Sequence, residues 1–351
     1  MPAQARSRFA TQRGAAILTA MLVMTLVATM AAAMLWRQWQ LVEVETARRH
    51  RVQAAWILTG ALDWARLILR EDARQGGADH LAEPWAIPLA SARLGTFLAA
   101  QSGSDEGIDA ADLEDTYLAG YIQDLQGRLN VRNLIHNGQP DPLQVQMWER
   151  LFGQLGLPAE ELDAMLLGLQ AAYATAGGGS SSSGGGSSAE SGEGADGNAV
   201  APLQPRRVED LRALGLSPAT LAMLRPFITI LPVRTPLNLN TASEIVLGAA
   251  LTDLDPAQAA AAGRARSAQH FRTLADAQTQ LRSTTPLDSA NFAVSSRYFG
   301  ITGQLRTESG TVQETSIVRR DGLHIRVLDR TREVLGPAVT NPTQGEEKSG
   351  E

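Results

Sequence analysis

The amino-acid sequence predicts an α+β protein in which one long amino-terminal helix packs on an antiparallel sheet and a block of helices is inserted into that sheet. Three observations support this fold class. An uncharged apolar run continues into an amphipathic stripe without a helix breaker. Segments with the two-residue period of strands occur near residues 117–131 and again within 295–329. Between them the apolar residues follow the period of helices.

Composition excludes several classes of function. The chain has 351 residues, a formal net charge of -6 and a single lysine, Lys348, so it is not suited to non-specific phosphate binding. It has no cysteine, which excludes disulfides and thiolate zinc sites. Its length allows one large domain or two ordinary ones.

The amino terminus predicts a membrane anchor. Residues 1–14 form a short polar segment with Arg6, Arg8 and Arg13 and no acid. Ala15 to Trp36 carries no charge, and as a helix it is roughly 33 Å long, enough to cross a bilayer. The preceding arginines predict a cytoplasmic amino terminus and translocation of the rest.

Three interpretations of this segment remain open. An ordinary secretory signal has a shorter apolar stretch followed by a small-residue cleavage site. A signal anchor fits the length of the run. The third is a leader cleaved before the apolar run, after a glycine that follows a basic residue, and the stretch from Arg13 through Gly14 and Ala15 to Leu18 matches it.

Beyond Arg37 the same helix is predicted to continue over 37–74. No proline lies between Pro2 and Pro84, and no glycine between Gly14 and Gly60. Apolar residues recur at three- and four-residue spacing, which predicts that this half lies on a globular body. They are Leu41, Val44, Val52, Ala55, Leu58, Leu62, Ala65 and Leu69.

Residues 75–133 are predicted to form the first part of the sheet domain. Residues 79–89 are expected to be extended or looped, and 117–123 to be a strand. Residues 124–128 are expected to be a hairpin turn that leads into a return strand at 129–131.

Residues 134–290 are predicted to be the inserted all-α domain. Its Gly/Ser-rich stretch 176–199 buries too little apolar surface to offset its entropy, which predicts a disordered loop. The predicted helices are 143–155, 159–173, 208–214, 218–225, 241–251, 256–266 and 273–282.

Residues 291–332 are predicted to hold the terminal strands, and 333–351 a disordered tail. Asp321-Gly322 is expected to be a hairpin turn. The predicted strands are 295–305, 311–319 and 323–329.

Two candidate ligand sites have simpler explanations. Residues 235–282 resemble helix-hairpin-helix modules of DNA-binding proteins, but the expected hairpin 251–256 has no glycine and two aspartates, which disfavours phosphate. The acidic residues of 105–115 suit a calcium ion in type, but their spacing matches no EF-hand and we favour a solvated loop.

The sequence contains no recognisable catalytic motif. The five histidines show no metal-ligand spacing, and a P-loop, a dinucleotide fingerprint and a Gly-x-Ser-x-Gly motif are absent. We therefore expect a protein that is not an enzyme.

Several short motifs, in their order along the chain, resemble the minor pseudopilin K family of the type II secretion system. The resemblance runs from about residue 10 to 330. The motifs are Arg13-Gly14-Ala15, Trp36-Arg37-Gln38, Gly60 to Ala65, Glu83 to Leu89, Asp124 to Asn130, Thr235 to Ala242 and Ser295 to Phe299.

This resemblance implies a pseudopilin fold with helix-hairpin-helix-like units in the inserted domain. It implies a class III leader, cleaved by the prepilin peptidase after Gly14, and methylation of the amine of Ala15. It implies a single-pass protein of the bacterial inner membrane with its bulk in the periplasm, which caps a pseudopilus. The implied partners are the minor pseudopilins I, J and H and the major pseudopilin, without nucleic acid. Calcium is compatible with the family, and its ligands are unassigned.

One position departs from general pilins. Their fifth mature residue is usually a glutamate, which is thought to neutralise the amino-terminal ammonium of a neighbouring subunit, and here it is Thr19. A subunit at the tip has no subunit ahead of it to neutralise, so the resemblance favours a tip position. The simpler interpretation is that Thr19 is one of several threonines in the helix, with Thr25 and Thr29.

Overall fold

The computed structural model describes residues 13–95, 116–177, 203–307 and 310–335. The chain separates into two compact units, the first ending at Thr59 and the second beginning at Gly60. The predicted acidic run 105–115 lies outside the described residues, as do most of the Gly/Ser-rich stretch and most of the tail.

Helix α1 is one continuous helix, Arg13–Gln75, as the absence of breakers predicts. Over residues 16–53 its side chains are exposed, including Leu18 at 70% and Met24 at 75%, whereas Ala54 and Leu58 are buried. Leu41, Val44 and Val52 are also exposed, so the prediction that they lie on a globular body is wrong. No described residue covers these three side chains.

The second unit contains a five-stranded antiparallel sheet in the order β1-β2-β9-β10-β11. The three predicted terminal strands are confirmed. The second and third are longer than expected, and the first begins three residues later than expected. Gly322 has φ 58° and takes the first central position of the β10–β11 turn, where that backbone conformation is required. The strands are β1 Leu89–Arg93, β2 Tyr117–Asp124, β9 Tyr298–Thr307, β10 Gly310–Asp321 and β11 His324–Leu335.

The end of α1 packs on this sheet, as predicted for the later part of the stripe. Leu62, Ala65 and Leu69 form a buried cluster with Phe299 and Val318. The φ of Gly76 is 65° and that of Gly77 is 118°, and the helix ends just before this pair.

Helices and short strands connect β2 to β9. Their buried core includes Met147, Trp148, Leu151, Leu247 and Phe271. The helices are α2 Pro142–Leu155, α3 Ala159–Gly177, α4 Pro218–Leu224, α5 Glu244–Ala250, α6 Pro256–Ala268 and α7 Leu274–Leu281. The short strands are β3 Leu129–Asn130, β4 Ile135–His136, β5 Gln139–Pro140, β6 Ile228–Thr229, β7 Leu237–Asn238 and β8 Phe292–Ala293.

One local prediction in this region is wrong, and one is refined. Residues 124–131 do not form a hairpin, because 125–127 form a 3-10 turn and β3 pairs in parallel with β6 instead of returning along β2. The helix predicted at 208–214 is present with these bounds, as the 3-10 helix Val208–Leu214. It ends at Gly215, whose φ is 106°.

Candidate functional site

The predicted cleavage site lies at the start of α1. The backbone of Arg13, Gly14 and Ala15 forms its first residues. Thr19 follows in the next turn, and its Oγ1 donates to the Ala16 carbonyl at 3.0 Å. This bond satisfies the hydroxyl inside its own helix, which is what a polar side chain requires in hydrocarbon.

The apolar part of α1 has the composition of a membrane span. By length and hydropathy, α1 is the one helix among the described residues that is long and apolar enough to cross a bilayer. Trp36 and Trp39 stand at the end of the apolar run with ring centroids 5.7 Å apart, and both are about 60% exposed. Tryptophan is enriched at membrane–water interfaces, so the pair suits the boundary of the span.

In the second unit, three of the motif segments meet at one buried carboxylate, Asp124. Its Oδ2 accepts hydrogen bonds from Thr241 Oγ1 at 2.5 Å, Ser296 Oγ at 2.6 Å and Asn238 Nδ2 at 3.0 Å. Its Oδ1 accepts from the Gln126 backbone N–H at 2.8 Å. We call these five residues the Asp124 junction. They join the end of β2 to segments that precede α5 and β9.

Burial raises the pKa of Asp124 to about 6, and the hydrogen bonds from Ser296, Thr241 and Gln126 limit the rise. A proton on this carboxyl group is therefore more stable in the folded chain than in the unfolded one. The Asp124 junction can stabilise the fold. Ser296 is 3% exposed, and the hydrogen bond from its Oγ to Asp124 lies inside the fold.

A second polar cluster adjoins the junction and centres on Arg320. Its Nη2 donates to Asp79 Oδ1 at 2.5 Å, Asp79 Oδ2 at 2.7 Å and the Ser296 carbonyl at 2.8 Å. Its Nη1 pairs with Asp72. Burial raises the pKa of Asp79, although Arg320 opposes this shift. The cluster links the end of α1 to β10 and to the segment before β9.

The carboxylates of Asp72, Asp79 and Glu83 lie within 4.8 Å of one another, which suggests a metal site. Arg320 pairs with two of them, and Glu83 Oε2 accepts from Trp85 Nε1 at 2.7 Å. Both oxygens of Asp79, and one oxygen each of Asp72 and Glu83, therefore already have a hydrogen-bond or ion-pair partner within the fold.

His80 and His270 stack with ring centroids 3.8 Å apart and an interplanar angle of 13°. Sequence reasoning missed this pair because the two residues are far apart in the chain. Burial lowers the pKa of both imidazoles. Stacked rings turn their faces to each other, so their in-plane nitrogens do not converge on one ion.

The structure also explains the hairpin weighed as a DNA-binding element. Asp253 accepts from Thr284 Oγ1 at 3.0 Å and from Thr285 Oγ1 at 2.8 Å. These bonds hold the hairpin 251–256 against residues 283–285. The two aspartates of the hairpin make its surface acidic, which is unsuited to binding phosphate. The nucleic-acid alternative is not supported.

Comparison with known proteins gives concordant matches. Two protein-family models described as type II secretion system protein K match residues 127–233 and 237–295. The type II secretion system protein K of Pseudomonas aeruginosa is 32% identical over 340 residues, which cover 91% of this chain and 92% of the relative.

Among solved structures, the fold resembles a chain in the crystal structure of the GspK-GspI-GspJ complex from enterotoxigenic Escherichia coli. The TM-score is 0.53 with 18% identity, and the match covers 82% of this chain and 98% of that chain. At this identity the likeness supports the α+β pseudopilin fold.

Proposed function

The chain belongs to the type II secretion system protein K family, and from this premise we propose that it caps the pseudopilus, where it helps to initiate assembly and protein export across the outer membrane. It is a minor pseudopilin, and thus a structural component of a secretion system. We assign it no catalytic role.

The tip proposal depends on Thr19. Its hydroxyl bonds to its own helix and offers no charge to a neighbour's amino-terminal ammonium. A buried ammonium is unfavourable in hydrocarbon unless it is paired. A subunit without this pairing charge is suited to the one position that has no subunit ahead of it. The helices between β2 and β9 add bulk that is difficult to stack at every level of a thin filament.

We propose that the prepilin peptidase cleaves after Gly14 and that the new amine on Ala15 is methylated. The arginines of residues 1–14 hold the amino terminus in the cytoplasm, and α1 crosses the bacterial inner membrane once. The second unit then lies in the periplasm.

The proposed partners are the minor pseudopilins I, J and H and the major pseudopilin. The GspK-GspI-GspJ complex, one chain of which has a similar fold, supports I and J. For residues 105–115, which lie outside the described residues, calcium binding is the alternative to the solvated loop that the sequence predicts. An increase in the melting temperature on adding calcium, reversed by EGTA, would identify an ion site.

Immunogold labelling of pseudopili tests the tip proposal. We expect label at one end of each filament, and label along the filament would contradict the proposal. Thr19→Glu is the companion variant. If bulk determines the position, secretion survives the change, whereas loss of secretion would show that the missing charge determines it.

A further inference from the structure

A groove in the second unit lies between α1 and the start of β11. Its volume is about 720 Å³. Its lining includes Asp63, Arg66, Leu67 and Arg70 of α1, Leu323 of the β10–β11 turn and Arg326 of β11. We call it the α1–β11 groove.

Arg66 builds one wall of the groove. Its Nη1 donates to Asp63 Oδ1 at 2.8 Å, and its Nε and Nη2 donate to the Ile325 carbonyl at 3.2 and 2.8 Å. Because β11 is the edge strand of the sheet, these bonds cover a backbone acceptor that a further strand would need. The groove is therefore a site for side chains and not for strand addition at this point.

Arg70 and Arg326 differ from the arginines around them. Arg74 pairs with Glu71, Arg319 with Asp321, and Arg332 with Glu314. Within the described residues, neither Arg70 nor Arg326 makes an ion pair, and both are exposed. The groove therefore carries uncompensated positive charge on a chain whose formal net charge is -6.

The same groove exposes apolar surface. Leu67 is 51% exposed and Leu323 is 46% exposed. Exposed leucines can pack against an apolar side chain of a partner protein, and the unpaired guanidinium groups beside them can bind its carboxylates. A lipid headgroup site of the polybasic type takes a cluster of about four to eight basic residues, more than the two unpaired arginines here.

We infer that the α1–β11 groove docks an acidic segment of a partner minor pseudopilin, with the partner's carboxylates on Arg70 and Arg326 and an apolar side chain against Leu67 and Leu323. This inference rests on the proposed function, since it assigns a surface to the proposed partners.

The test measures binding of the full chain, held in nanodiscs of neutral lipid, to the periplasmic domains of the I and J pseudopilins. We expect Arg70→Glu with Arg326→Glu to weaken binding by about tenfold or more. Arg264→Glu with Arg272→Glu, which makes the same charge change at two exposed positions outside the groove, should bind like the wild type. Arg70→Lys with Arg326→Lys separates charge from folding defects and should retain most of the affinity.

Each result has a distinct meaning. If the wild type binds neither partner, the proposed function fails. If the wild type binds and the double glutamate variant binds equally well, the groove assignment fails while the function stands. If both arginines instead control binding to anionic phosphatidylglycerol vesicles with partner binding unchanged, the site is a lipid site and the inference is overturned. Salt dependence gives a further check. Raising the salt concentration from about 0.05 to about 0.5 M should weaken binding of the wild type more than binding of the double glutamate variant.

Discussion

The start of α1 and the Asp124 junction show opposite distributions of side chains. In the first unit, Met24 is 75% exposed and Leu18 is 70% exposed. In the second unit, Asn238 is 0% exposed and Ser296 is 3% exposed. Apolar surface is stable outside when the surrounding medium is lipid, and polar groups are stable inside when they bind one another. The first region can therefore be predicted from composition, whereas the second depends on contacts between distant segments.

The largest expected effect concerns the first region. Gly14→Val adds a side chain at the predicted scissile bond, where the backbone must approach the peptidase closely. We expect the leader to remain attached and secretion to be lost. Ala10→Val, which adds similar bulk inside the leader, is the control and should be processed normally. Immunoblot mobility and the mass of the amino-terminal peptide measure both. A mature Gly14→Val protein that begins at Ala15 would refute the leader assignment.

The next variant tests the second region. Asp124→Ala removes the acceptor shared by Thr241, Ser296 and Asn238. The Thr241 and Ser296 hydroxyls lose the acceptor that they have in the fold, whereas Asn238 keeps the Asp79 carbonyl and Ser296 Oγ. We expect unfolding to become easier by about 4 kcal/mol at pH 7. Asp163→Ala, at an exposed position of α3, should change stability by no more than about 0.5 kcal/mol. Urea unfolding of the full chain in detergent provides the measurement, and equal stability of the two variants would contradict the role of the junction.

The charge of Asp124 has a separate, pH-dependent effect. Its folded pKa of about 6 lies above the ordinary value of 3.8, so the folded state holds the proton to higher pH. This group therefore stabilises the folded state at low pH. As the pH rises from 3.8 to above about 6, its contribution to the free energy of unfolding falls by up to about 3 kcal/mol. Asp124→Asn should lack this part of the pH dependence. An identical profile for the variant and the wild type between pH 4 and pH 7 would argue against the raised pKa.

Two glycines offer a smaller, paired test. A Cβ on Gly127 would lie 2.9 Å from the Thr241 carbonyl carbon and oxygen, whereas one on Gly153 would meet nothing within 4 Å. Gly127→Ala should therefore destabilise the protein by about 2 kcal/mol. Gly153→Ala, in helix α2, should be neutral or stabilise by up to about 1 kcal/mol. Thermal melting that ranks them in the opposite order would show that this close contact is unimportant.

The smallest effect is expected in the Gly/Ser-rich stretch predicted to be a disordered loop. Deleting residues 180–198 removes no large apolar side chain, and the entropy of loop closure changes slowly with length. We expect a change in stability below about 1 kcal/mol and normal secretion. Loss of either would mean that this stretch is ordered or functional.

Local patterns predicted the elements that depend on local signals. The lack of breakers between Gly14 and Gly60 predicted α1, and Asp321-Gly322 located the β10–β11 turn to within a residue. The predicted pairing of Leu129-Asn130 with β2 was wrong. Its actual partner, Ile228-Thr229, is distant in sequence, and no local pattern indicates this pairing.

The Asp124 junction was missed for the same reason. Its residues stood in the sequence as separate short motifs, Asp124 to Asn130, Thr235 to Ala242 and Ser295 to Phe299. Only the fold brings them together. Polar residues in otherwise apolar motifs are a signal for such a site, since a buried polar group needs a partner.

The mature amino-terminal residue is the most direct test of the account. Mass spectrometry of the protein purified from its native membrane should find a chain that begins at Ala15, with its amine methylated and α1 retained. That result would identify a processed pseudopilin that keeps its anchor. A chain that still begins at Met1, or one cut beyond Trp36, would contradict the account.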